Sequence, residues 1–384
     1  MKRIIAILMA VIIFLPVTQI RAEDSNYISF YKVKTQLLEN NRTLKQLENQ
    51  ERQAYLRYDE VYQAGRSVNT EGKSYELFGE ERFFKYDINI QMLLTKKKLL
   101  VPEQMKYAWE KTENSKITTE KNLIASSRGL YLALLSSDED YSIKQEKLRI
   151  ADKKYNQDAV KLEQGLITRV VLEQSAYNLE KARKELDAAV RNRENASRSL
   201  NAFIGAPINI SYSSVRAEDV NSNLEMEAAD YYIEKALKER NEITDIQRQL
   251  EVKKLQQGII EKNQVHKIYT AVADEHEKLI EDIEMLELKL ENERYKIEEE
   301  IKTAYIDVKK ERGGIESTKL VLETQKLTLN KVREQYNQGL ITQTVLEELQ
   351  VGIDEIENGL GLSVFSYNTK RMKFENATGI GPAY

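Results

Sequence analysis

Twelve residues near the middle of the chain, EQGLITRVVLEQ at Glu163–Gln174, return almost unchanged as NQGLITQTVLEE at Asn337–Glu348, 174 positions later. Between Gln164 and Glu173, eight of ten residues are identical to their partners at Gln338–Glu347. The same offset holds without a gap beyond the motif, matching Tyr131 with Tyr305, Leu148 with Leu322 and Gly205 with Gly379. Self-similarity on that scale means one structural unit written twice. The chain therefore reads as two tandem repeats, residues 23–210 and 211–384, behind an N-terminal segment of 22 residues.

What the unit is follows from what it lacks. The 384 residues include only 4 Pro and 15 Gly, so the chain turns rarely. Between Pro102 and Gln164 there is one glycine, Gly129, and no further proline. As helix, residues 103–164 would extend about 93 Å at ~1.5 Å per residue. Beyond Gly165 the pattern is a heptad: Leu172, Leu179, Leu186 and Leu200 recur every seven residues, with Arg193 as the exception. Ser175, Ala182, Ala189, Ala196 and Phe203 form a companion row three residues on. Two such rows specify a supercoiled seam with knobs-into-holes packing. The second copy keeps them, with Leu346, Ile353, Leu360, Tyr367 and Phe374 beside Leu349, Ile356, Ser363, Lys370 and Ala377.

The motif then has a mechanical reading. A long rod ends at Gly165, which supplies the left-handed conformation that terminates a helix. Thr168 is placed to cap the next helix through its side-chain oxygen. The chain turns through a tight αα-hairpin and runs back antiparallel, and Gly339 and Thr342 repeat the arrangement. Leu166, Ile167, Leu340 and Ile341 sit at the two apices, either as an apolar anchor for a partner or as staples of each turn to its own rods. Arg169 either pairs with Glu347 or Glu348 of a neighbouring hairpin or faces solvent. Each returning helix is expected to end at a second glycine, Gly205 before Pro207 and Gly379 before Pro382.

Each repeat also carries an upstream helical arm, residues 24–64 and 226–262. Between arm and rod the first repeat inserts FFKYDINIQMLL, Phe83–Leu94, whose alternation of Phe84, Tyr86, Ile88, Ile90 and Met92 predicts a strand. Ser74–Phe78 is its expected partner across Gly79–Arg82, so strands fall within 74–94. The second repeat offers at most one brief strand, KIYTAV at Lys267–Val272.

Several classes of function are disfavoured. The net charge of −4 is small and its signs are interspersed, which does not suit a nucleic-acid surface. There are no cysteines, so disulfides and thiolate metal sites are excluded. His266 and His276 are the only histidines, and the acidic DEHE segment around the second lacks a matching ligand group, so no metal, cofactor or catalytic role is expected. The C-terminal GIGPAY lacks the strand-to-helix setting of a phosphate loop and reads as a tail. Lys2 and Arg3 before the twelve apolar residues Ile4–Leu15 predict a signal peptide, residues 1–22, cleaved after Ala22, with an uncleaved anchor as the alternative. An exported, non-enzymatic helical protein remains.

Together, the signal peptide, the tandem helical repeats and the turn-plus-heptad segments LEQGLITRVVLEQ from Leu162 and YNQGLITQTVLEELQ from Tyr336 resemble the TolC family of outer membrane efflux proteins. The resemblance covers essentially the mature chain. It implies a mainly α fold in which long antiparallel coiled-coil hairpins in two repeats build a trimeric helical tunnel with a small β segment. It implies a homotrimer in the outer membrane and periplasm, serving tripartite efflux or type I secretion by docking a periplasmic adaptor bound to an inner-membrane pump. The family's hairpin tips are where the tunnel closes and the adaptor engages. Here those positions are Gly165, Leu166, Ile167, Thr168 and Arg169, and Gly339, Leu340, Ile341, Thr342 and Gln343, with Glu173 and Glu347 as the nearest acids. Family members commonly carry an aspartate just before the first heptad leucine, where this chain has Val171 and Val345. The strands also depart from the family pattern, since a membrane-crossing strand needs ~9–11 residues and each family repeat supplies two. A second reading stays open: an exported coiled-coil spacer or adaptor of the cell envelope that shares the fold without a membrane-spanning barrel.

Overall fold

A computed structural model of the chain describes residues 27–216, 225–262 and 264–381. The expected signal peptide and Pro382 lie outside the described residues. Four long helices dominate: α4 (Val101–Glu163), α5 (Arg169–Ile204), α8 (Thr270–Asn337) and α9 (Gln343–Gly379). Their lengths of 63, 36, 68 and 37 residues match the rods and return helices read from the heptads. Among the described residues, no helix is long and apolar enough to cross a membrane.

The arms are broken helices, and each break has a local cause. In the first repeat, α1 (Phe30–Asn40) and α2 (Arg42–Arg66) are separated by Asn41, whose side chain caps α2 by accepting from the Leu44 N–H at 3.1 Å. In the second, α6 (Ala229–Glu239) and α7 (Asn241–Glu261) are separated by Arg240. This arginine is 1 % exposed, and its guanidinium pairs with Glu242 and, at 2.9 Å, with Glu300 of α8. A buried cation held by two carboxylates fixes the kink, because straightening the arm would pull the guanidinium from both partners and leave a buried charge unpaired.

The long helices form one layer rather than a closed bundle. Towards the hairpin turns α5 packs on α4, α4 on α9, and α9 on α8, so α5 and α8 are the two outer edges. Towards the opposite end α2 takes the place of α5, and α7 packs against α8. The core is accordingly a series of clusters along the rods. One joins Met92, Leu100, Leu250, Ile260 and Leu279 at the end far from the turns. Two lie mid-length, one around Tyr131, Leu200 and Phe365 and one around Ile297, Ile301 and Tyr367. A small one, Leu322, Leu329 and Ile353, lies nearest the second turn. At mid-length β1 (Tyr27–Ile28) and β4 (Ser214–Val215) pair in parallel, and the Tyr131 hydroxyl donates to the carbonyls of Ile28 and Arg216.

Two local expectations are corrected. The segment Phe83–Leu94 is not one strand: β3 covers Glu80–Lys85, and Ile88–Thr95 is helix α3. Asp87 starts that helix by accepting from the Asn89 N–H at 2.8 Å, and Met92 is buried one turn after Ile88. Residues 88 and 92 share a face in either secondary structure, so alternation alone did not separate the two. The partner strand β2 spans Gly72–Leu77 and pairs antiparallel with β3 through a two-residue turn at Phe78 and Gly79. KIYTAV is not a strand either. Val265–Lys267 is a 3₁₀ turn and α8 begins at Thr270, because Val265 and Val272 must both reach the core of a short helix-to-helix connection. As expected, α9 ends at Gly379, while the positive φ that follows it falls on Gly381.

Candidate functional site: the two hairpin tips

Both tips are built by the same hydrogen bonds. Gly165 has φ 72° and Gly339 φ 73°. The N–H of Gly165 donates to Leu162 O at 2.9 Å and that of Leu166 to Lys161 O at 2.8 Å. In the second tip Gly339 donates to Tyr336 O and Leu340 to Gln335 O, both at 2.9 Å. This crossed pair satisfies carbonyls that the helix end would orphan, and it requires the left-handed residue that glycine supplies. Thr168 and Thr342 occupy the N-cap positions as expected, with extended backbones. Their side chains do not accept from the next turn, contrary to the sequence reading. Both threonines are exposed, and solvent-facing first-turn amides do not require a side-chain cap.

Leu166 and Leu340 are each 69 % exposed, whereas Ile167 and Ile341 are half-buried. The leucines thus project from the turns and the isoleucines pack beneath them. Arg169 does not reach another hairpin: its Nε lies 3.0 Å from Glu173 Oε1, one turn along its own helix.

Beyond the turns the two tips differ. Val170 is 73 % exposed, but its counterpart Thr344 is 4 % exposed and donates to Gln157 Oε1 of α4 at 3.1 Å. Glu173 stays on the surface, while Glu347 lies between Lys153 at 2.9 Å and Arg149 at 3.1 Å. Lys154 faces Glu348 at 3.8 Å, and Lys147 pairs with Glu355 further up. Burial would lift the Glu347 carboxyl, but Lys153 and Arg149 outweigh it and hold the group below its ordinary range. The second tip is therefore clasped to the first rod. Gln343, the counterpart of Arg169, is exposed at the start of α9.

The seams beneath the tips also differ. In the first hairpin a buried Asp158 carboxylate accepts from the Ser175 hydroxyl and lies 3.5 Å from Lys161. The equivalent positions in the second are the apolar Val332 and Leu349, of which Leu349 packs on the cluster of Leu322, Leu329 and Ile353. The basic side of the clasp was not singled out from sequence. Its signal is nonetheless written there, as Lys147, Arg149, Lys153 and Lys154 on the first rod against Glu347, Glu348 and Glu355 on the second return helix.

No protein-family model matches the chain, and no curated protein matches it by sequence. Solved structures do match. The outer membrane protein VceC from Vibrio cholerae superposes with a TM-score of 0.60 at 14 % identity, over 92 % of this chain and 97 % of that one. The open state of the Neisseria gonorrhoeae MtrE outer membrane channel gives 0.57 at 14 %, over 92 % and 90 %. The Campylobacter jejuni CmeC outer membrane channel gives 0.57 at 13 %, over 92 % and 86 %. At these identities the likeness speaks for architecture, and over nearly its whole described length the chain has the fold of the TolC-family outer membrane efflux channels.

Proposed function

We propose that three copies of this chain close into a periplasmic tube that serves as the outer membrane component of a tripartite efflux or secretion system. The observation that carries the reading is the pair of unlike edges on the helical layer. On α8 the row Ile301, Val308, Ile315, Leu322 and Leu329 recurs every seven residues and is buried within the chain. A second heptad row, Ile306, Gly313, Leu320 and Leu327, runs along the free side of the same helix, and its three large residues are 62–66 % exposed. A heptad row is a coiled-coil seam, and this one has no helix against it among the described residues. The opposite edge, α5 below and α2 above, is different in shape, so edge meets edge head to tail. Such contacts generate a ring when the rotation closes. The fold likeness to outer membrane channels supports three as the number of copies and the cell envelope as the setting.

In this reading the turns form the end of the tube nearest the inner membrane. The exposed Leu166 and Leu340, flanked by Ile167, Ile341, Arg169 and Gln343, meet a periplasmic adaptor held by an inner-membrane pump. Exposed apolar residues of this kind serve as anchors in partner interfaces. The chain performs no chemistry of its own; it is a conduit.

Because the chain has no cysteine, an introduced pair is unambiguous. Leu320→Cys on α8 with Lys184→Cys on the exposed side of α5 should cross-link between copies under mild oxidation, producing species of up to three chains and no larger. Absence of intermolecular cross-linking at this pair and at its one-turn neighbours, with helicity intact, would overturn the edge-to-edge ring.

A further inference from the structure

We infer that the outer end of this protein, the hairpin β2–β3, seats in the headgroup layer of a lipid bilayer and does not cross it as a barrel. The inference rests on the tube reading only for the number of strands.

Each strand has six residues. At ~3.3 Å per residue that is about 20 Å, and at the usual ~40° barrel tilt it rises only about 15 Å, against the ~25 Å apolar band of spanning barrels. Three copies would bring six such strands. Since eight strands already enclose only enough space for side chains, six would make a plug and not a pore. The faces point the same way. A spanning strand alternates apolar outside with polar inside, but here neither face is apolar. Tyr75, Leu77 and Phe84 share theirs with Lys73, Glu80 and Arg82, and Phe83 shares the other with Glu76, Glu81 and Lys85. Aromatic rings that share both faces with charges, and sit directly opposite them at Lys73–Phe84 and Tyr75–Arg82, suit the headgroup region, where amphipathic rings and ionic groups are both solvated.

A second observation marks the apex. Phe78 is 95 % exposed and has φ 54°, a left-handed conformation at a two-residue turn where asparagine or glycine is at ease. An aromatic residue there is strained and bare at once, and nothing among the described residues covers it. The hairpin is also isolated: apart from Gly72, every residue of both strands is exposed. Two strands alone are marginal in water, and an interfacial setting for the rings supplies what the chain does not. The surface immediately behind the hairpin continues the theme, with Leu93 53 % and Ile268 62 % exposed beside Lys97 and Lys267.

The test uses the purified full chain and vesicles of phosphatidylethanolamine and phosphatidylglycerol, read by flotation, with the mass of the floated species measured in parallel. Wild-type protein should float and be released by alkaline carbonate. Phe78→Asn relieves the turn and so keeps the hairpin, yet should lower vesicle affinity at least about tenfold. Wild-type protein that resists carbonate and conducts in planar bilayers spans the membrane, and the inference fails. It also fails if assembled wild-type protein does not float, or if Phe78→Asn floats unchanged, which would leave the apex to a protein partner. Flotation of a single-chain species with the Phe78 dependence intact would sustain the lipid contact while removing the tube, so the two readings fall separately.

Discussion

Lys153 Nζ lies 2.9 Å from Glu347 Oε1, and this contact between the first rod and the second return helix, reinforced by Arg149, sets one hairpin tip against the other. The corresponding glutamate of the first repeat, Glu173, makes only a local pair with Arg169. A duplicated sequence has thus acquired two mechanical roles, a free-standing tip and a clasped one, through the charges that surround it.

The clasp should respond to acid and salt in a defined direction. Glu347 has its folded-state pKa lowered by Lys153 and Arg149 against the effect of burial, so its contribution is present above the ordinary carboxylate range and lost as pH falls through it. Partly exposed pairs of this kind contribute under about 1 kcal/mol each, and ~1 M salt screens them. Spin labels on the α4 and α9 segments near the tips should move apart below about pH 4.5, the ordinary carboxylate range, and in high salt. Glu347→Gln should show the wide separation at neutral pH and little further change. An unchanged separation in that variant would discount the clasp.

The turn glycines and the helical glycines should behave oppositely. Gly165→Val or Gly339→Val forces a β-branched residue into a left-handed conformation, at a cost of about 1–2 kcal/mol. Gly129→Ala and Gly359→Ala place a methyl where no described atom of the chain lies within 4 Å, and should stabilise helix by about 0.5–1 kcal/mol each. Thermal unfolding of the four variants decides the matter. If the alanine variants unfold earlier instead, a neighbouring copy or partner occupies that space.

Glu139 predicts a pH dependence of the opposite sign. Burial, aided by the neighbouring Asp138, pushes its carboxyl up to about 7, and its Oε2 has no hydrogen-bond partner among the described residues. The stability it allows is fully present below the unfolded value near 4.5 and is lost as pH rises through about 7. The loss is on the order of 2–3 kcal/mol at most. Glu139→Gln should flatten the stability profile between pH 5 and 8, by an amount read from denaturant midpoints. An identical profile in the variant would remove Glu139 as the cause.

The long elements were legible because their signals are redundant. The rods are set by scarcity of Gly and Pro over more than sixty residues, and the seams by heptad rows that the structure buries at Leu179, Ala189, Leu200, Ile353, Tyr367 and Phe374. The turns were legible because Gly165 and Gly339 stand in identical surroundings. Short segments carried no such redundancy: over Ile88–Met92 a strand and a helix both place residues 88 and 92 on one face, and the Asp87 cap and the exposed Ile90 mark the helix. The clasp was hidden for another reason. Its partners are 194 residues apart, and which rod faces which is decided by the layer order α5–α4–α9–α8, not by local pattern.

The exposed tip leucines offer a prediction free of stability effects. With each 69 % exposed, Leu166→Ser and Leu340→Ser together should change unfolding by less than about 0.5 kcal/mol. In cells relying on this conduit, the same double variant should abolish efflux of a fluorescent dye while protein level is unchanged. Full efflux in the double variant would show that the leucines are not the docking anchors, and an early unfolding transition would mark them as staples of the turns.

The ring itself is most directly tested by the native mass of the purified chain in mild detergent, by light scattering or mass spectrometry. The unlike edges and the free heptad row Ile306–Gly313–Leu320–Leu327 predict a single species of three chains, which falls apart when Leu320 and Leu327 are both changed to Lys. A well-folded wild-type protein that stays a single chain at every concentration would contradict the tube.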